Sequence, residues 1–154
     1  MKLIGWTAAA SAMFFALPVQ AGINDPEVMI YRVAGVFDNG GADNVGVATS
    51  FHCTNFSGAL EIVRVVVRDA GSQIKANSFG QISHLQSTIF STHGTMFSEA
   101  IMTTGVIAAG GTAAIAATSI DVVCTAMMLD AAATVPVGIA LHAVRLNPIP
   151  GTEE

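Results

Sequence analysis

VGVATSFHC, residues Val45 to Cys53, alternates without a break. Val45, Val47, Thr49, Phe51 and Cys53 fall on one face, and Gly46, Ala48, Ser50 and His52 on the other. Successive side chains of a β-strand point to opposite sides, so this stretch reads as a half-buried strand whose Cys53 faces a core and whose His52 faces away from it. The neighbouring stretches repeat the pattern. Residues 28–37, VMIYRVAGVF, are rich in β-branched and aromatic side chains and run into Asp38-Asn39-Gly40-Gly41, a turn cluster. Residues 60–69, LEIVRVVVRD, put Val63, Val65 and Val67 inward and Arg64 and Arg68 outward before turning at Ala70-Gly71-Ser72.

Further strands follow in QIKANSF, in HLQSTIFST up to a turn at His93-Gly94, and in SEAIMTTGVIAA up to a hairpin turn at Gly110-Gly111. The run TAAIAATSIDVVCTAMML sets Ile120, Val122, Cys124, Ala126 and Met128 on one face, and VGIALHAVRL, 137–146, makes a last strand. Seven or eight short strands with turns at this spacing predict an all-β fold, an antiparallel β-sandwich. Only the Ala-rich segment 112–133 pulls toward helix, and its interleaved Thr, Ile and Val oppose that pull.

The ends set the compartment. MKLIGWTAAASAMFFALPVQA has one lysine, an apolar run from Trp6 to Leu17, then Pro18 and small residues at Val19 and Ala21. That is the layout of a secretory signal peptide, residues 1–21, cleaved after Ala21. A single sandwich domain over 22–147 and an extended tail over 148–154, where Pro148 and Pro150 interrupt regular structure, complete the expected organisation. The protein is accordingly expected to be secreted or periplasmic, with no transmembrane helix in the mature chain.

Removing the leader leaves five basic residues, Arg32, Arg64, Arg68, Lys75 and Arg145, against eleven acidic ones, a net charge of −6. Without a cluster of Lys and Arg, nucleic acid is excluded as a partner class. Charged residues make up only 11% of the chain, so neutral and small side chains must cover much of the surface. Such a surface opposes association weakly, and self-association through edge strands, or contact with an envelope or extracellular protein or a glycan, is the expected mode of action.

An exported chain with two cysteines on inward strand faces predicts one disulfide, Cys53 to Cys124. Closing so long a loop stabilises a fold by roughly 4 kcal/mol in the chain-entropy view. An early strand stapled to a late one across two sheets is similar to the bridge of immunoglobulin-like domains, which implies that architecture and an inter-sheet bond. The resemblance stops at the staple, because the only tryptophan, Trp6, lies in the leader and Val122 stands where a tyrosine would be expected.

No catalytic motif marks a nucleophile, and HExxH, CxxC and GxSxG are all absent from the sequence. The expected function is therefore a non-catalytic binding, adhesion or self-assembly module without a cofactor. The alternative is a secreted hydrolase or metal-binding protein that gathers His84, His93 and His142 in the fold beside a carboxylate. Asp38 and Asp43, in the loop DNGGADN, supply hard oxygen donors of the kind calcium takes, without an EF-hand's spacing. Asn55-Phe56-Ser57 fits an N-glycosylation sequon.

Overall fold

The computed structural model of the protein describes residues 22–135 and 137–146. The leader at 1–21 and the tail at 148–154 lie outside the described residues. Ten strands form in chain order: β1 Val28–Asp38, β2 Val47–Asn55, β3 Glu61–Arg68, β4 Ile74–Ile82, β5 Ser87–Ser91, β6 Ala100–Ile101, β7 Ile107–Ala117, β8 Val122–Asp130, β9 Gly138–Ala140 and β10 Ala143–Arg145. Seven of them have five residues or more. The other three are short additions at sheet edges, which the alternation pattern is too coarse to resolve.

The strands make two five-stranded sheets, β10-β1-β7-β3-β4 (sheet A) and β6-β5-β2-β8-β9 (sheet B), antiparallel except for the β5–β6 pair. The expected all-β sandwich is what forms. Its core is filled by the inward residues of both sheets: Ile30, Val33 and Val36 on β1, Val63, Val65 and Val67 on β3, and Ile115 on β7 meet Phe51 on β2, Phe90 on β5 and Val122 on β8. Phe51 and Phe90 are completely buried, and each contributes about 2–3 kcal/mol of apolar burial.

The Ala-rich segment is strand, because its position overrides alanine's helical preference. β7 sits between β1 and β3, pairing with β1 from Ile107 to Ala117 and with β3 from Thr112 to Ala117. Two expectations in this region change. The 112–129 run breaks into β7 and β8 at a turn around Ile120-Asp121. The Gly110-Gly111 pair is no hairpin turn but lies inside β7, where Gly110 has φ +78° and the register against β1 slips between Val36 and Asp38. The pair makes a β-bulge, for which a residue of positive φ is suited.

The last strand divides as well. Leu141 N donates to Ala126 O of sheet B at 2.9 Å, and the carbonyl of the next residue, His142 O, accepts from Ala34 N of sheet A at 3.3 Å. The chain thus steps from one sheet to the other and bridges one open side of the sandwich, with Leu141 packed against the core.

Candidate functional site

Cys53 and Cys124 are joined, but not across the sheets. They are register partners on adjacent strands β2 and β8 of sheet B, with Cα atoms 4.1 Å apart. The expected inter-sheet staple is therefore a cross-strand staple within one sheet. Its register explains it. Phe56 N donates to Asp121 O and Ala131 N to Gly46 O, so even-numbered β2 residues make the hydrogen-bonded pairs and Cys53 falls at a non-hydrogen-bonded position, where opposed residues approach most closely. Both cysteines still face the core, at 0% and 4% exposure, and the immunoglobulin-like bridge does not carry over.

His52 points to the other face of sheet B, as strand parity requires, between Ile89 of β5 and Thr125 of β8 in the register. It is half-buried rather than exposed. Its Nε2 is buried with no hydrogen-bond partner, and burial lowers its pKa, so the ring is held neutral. With Cys53 oxidised and on the opposite face, the pair cannot ligate a metal together.

The remaining histidines occupy three separate settings. His84 accepts a hydrogen bond from Gly58 N at its Nδ1, 3.0 Å, in the neighbourhood of the β2–β3 connection. His142 is exposed where the chain steps between sheets. His93 is buried just after β5, and here the structure makes a connection that sequence spacing does not show. Its Nδ1 lies 2.9 Å from Asp38 Oδ2 and its Nε2 3.1 Å from Val45 O. A carbonyl only accepts, so Nε2 carries a hydrogen, and the Nδ1 contact needs a hydrogen of its own. Thr104 Oγ1 also donates to Asp38 Oδ2, and Gly40 N donates to Oδ1 at 2.6 Å. Both ring nitrogens are spent on partners within the fold, so the group joins β1 of sheet A to the end of β5 of sheet B as a clasp.

The loop DNGGADN turns its oxygens on its own surroundings. Asp43 Oδ1 accepts from Gly94 N at 2.9 Å, and Asn39 Oδ1 from Val47 N at 3.1 Å. Among the described residues no group of three or more His, Cys, Asp or Glu side chains could hold a metal ion. Asn55 of the sequon is fully buried, and its amide donates to Ala59 O and Ile82 O at 2.7 and 2.8 Å, so it is closed to a glycan.

Glu61 is a buried acid that periodicity alone disguises. It shares the inward parity of Val63, Val65 and Val67 and is completely buried, with Ser57 Oγ donating to Oε1 at 2.6 Å and Thr118 Oγ1 donating to Oε2. An acid at an inward position of a strand is the signal that would have marked it. By the strand registers, this second clasp and the Asp38–His93 clasp stand at opposite ends of sheet A.

An open apolar pocket of about 540 Å³ lies beside β9, lined by Phe37, Val47, Met128, Val137 and Ile139 with Asp130 at its margin. Val137 and Ile139 are 74% and 68% exposed although they line it. Alternation in the sequence does not predict this opening, because it arises where β1 of sheet A and β8–β9 of sheet B face each other. Among the described residues no helix is long and apolar enough to cross a membrane. No family model, no curated protein and no solved structure matches the chain, so the reading of its function rests on this geometry.

Proposed function

We propose that the protein is an exported, non-catalytic β-sandwich module that works by contact, joining a second copy or a partner strand along the β9 edge. The observation that carries the reading is the apolar edge itself. Among the described residues β9 pairs only with β8, and its large side chains stand exposed around an unfilled apolar pocket. An edge strand with free backbone groups and alternating pockets is what strand addition uses, the backbone giving affinity and the pocket selecting side chains. The disulfide supports export, since such bonds persist in oxidising compartments.

Association is testable by light scattering of the protein exported through an oxidising compartment, over a wide concentration range. The expected result is a concentration-dependent dimer or series, reduced to monomer by Val137→Lys with Ile139→Lys while the melting temperature holds. A wild-type protein that stays monomeric at the highest concentration would remove the support for this reading. The alternative of a histidine-based hydrolase or metal protein finds no geometric support, because His84, His93 and His142 are not brought together.

A further inference from the structure

Charge in this molecule is segregated by sheet. Every Lys and Arg among the described residues belongs to a strand of sheet A, namely Arg32 on β1, Arg64 and Arg68 on β3, Lys75 on β4 and Arg145 on β10, and the strands of sheet B carry none. The registers place them further. Arg64 and Arg68 alternate with the buried valines of β3, and Arg32 aligns through Ala114 with Val66, so all three lie on the outer face. Between β1 and β3, the central strand β7 offers that face only Thr112, Ala114 and Ala116. A small-residue floor runs between arginine-bearing strands.

The cations are not equally occupied. Arg64 is spent on Glu27, at 2.7 and 3.0 Å, and on Asn77, at 3.0 Å, and it lies over the Phe79 ring. Arg145 donates to Tyr31 and to Ile120 O. Arg32, by contrast, lines a depression of about 200 Å³ together with Ala34, Thr112, His142 and Val144. The side chains of Arg32, Thr112 and His142 make no hydrogen bond or ion pair with any described residue. Arg68 stands beside this depression as the register partner of Thr112.

We infer that this depression is a binding site for a tetrahedral oxyanion, a phosphate or sulfate monoester borne by a larger polar ligand. Three kinds of donor from three segments surround it: a guanidinium fork from β1, a hydroxyl from β7 and an imidazole N–H from the β9–β10 step. Guanidinium matches an oxyanion two bonds at a time, and a tetrahedral group can take the hydroxyl and imidazole on its remaining oxygens, which a planar carboxylate with two oxygens does less well. Arg68, whose Nη1 donates to Ser72 O at 2.8 Å, adds positive charge beside the depression without lining it, and the alanine floor leaves room for the group that carries the ester. The site lies on the face opposite sheet B and does not depend on the β9 contact.

The test is an amide-resolved NMR titration of the protein with inorganic phosphate at low ionic strength. Saturable shifts clustered at Arg32, Ala34, Thr112 and His142 are expected, in the millimolar range for so open a site. Arg32→Gln should weaken binding about tenfold or more, the scale of one charge-assisted pair, whereas Arg64→Gln, which removes a cation already held by Glu27, should change it less than about twofold. Ile139→Lys should leave phosphate binding intact, which separates this site from the association edge. Scattered, non-saturating shifts, or shifts equally reduced by Arg32→Gln and Arg64→Gln with both variants folded, would overturn the site. Once the site holds, titration with a sugar phosphate and with vesicles containing phosphatidic acid, both phosphomonoesters, distinguishes a glycan from a lipid source, whichever binds more tightly than inorganic phosphate.

Discussion

His52 and Cys53 show how much one step along a strand decides. The two are neighbours in sequence, yet Cys53 is sealed in the core by its bond to Cys124 and His52 lies on the opposite face with an unpartnered Nε2. Parity makes this separation legible in the sequence, but the extent of burial is not, because it depends on what Ile89 and Thr125 bring alongside. A histidine whose folded pKa lies below its unfolded value binds fewer protons when folded. Its contribution to stability is full above the unfolded value and is lost as pH falls through the folded one. Thermal melts of the wild type should therefore drop between pH 7.5 and pH 5, and His52→Val should make that dependence shallower. Val suits a half-buried strand position and removes the unpaired nitrogen, so its stability at pH 7.5 should equal or exceed that of the wild type. A His52→Val melt with the wild-type pH slope would assign the dependence to another group.

At the scale of the element, β7 is the segment whose sequence misleads. Its alanines favour helix, its glycine pair suggests a turn, and it becomes the central strand of sheet A. The glycines then have different tasks. A Cβ on Gly111 would lie 2.4 Å from Arg68 O and 2.9 Å from Ile107 Cγ2, so the β3 backbone forbids it. At Gly110 nothing lies within 4 Å, and only its φ of +78° resists a side chain. Gly111→Ala is expected to destabilise by about 1–3 kcal/mol, as overpacking does, and Gly110→Ala by about 1 kcal/mol. Gly110→Asn, whose side chain tolerates the left-handed region, should recover part of the Gly110→Ala loss. Urea denaturation of the four proteins checks the order, and equal losses at both positions would contradict the close approach.

For the whole molecule, the two buried carboxylates act as ties at opposite ends of sheet A. Asp38 joins the end of β1 to His93, Thr104 and the loop at Gly40, and Glu61 joins the start of β3 to Ser57 and Thr118. Breaking one partner leaves buried polar groups unpaired, so Asp38→Ala should cost about 3 kcal/mol or more. The ion pair of Arg64 with Glu27 lies on the surface, and Glu27→Gln should cost less than about 1 kcal/mol. Chemical denaturation measures both, and a mild effect of Asp38→Ala would mean that the clasp is not holding β1 against sheet B. The same packing that buries these ties leaves the β9 edge apolar and open and concentrates the basic residues on the outer face of sheet A.

What the sequence by itself determined is the alternation: an all-β chain, which residues of β2, β3 and β8 face inward, and that Cys53 and Cys124 would pair. These follow from a period of two and from the chemistry of two thiols on inward strand faces, both local to the strand. Which strands lie side by side is not local. The staple fell within one sheet because β2 and β8 are neighbours, His93 met Asp38 because β5 ends over β1, and Arg32, Thr112 and His142 came to share a depression because β1, β7 and the β9–β10 step are adjacent. Those pairings join residues that stand 30 to 110 positions apart in the chain. Only the free energy of closing the whole sandwich selects them.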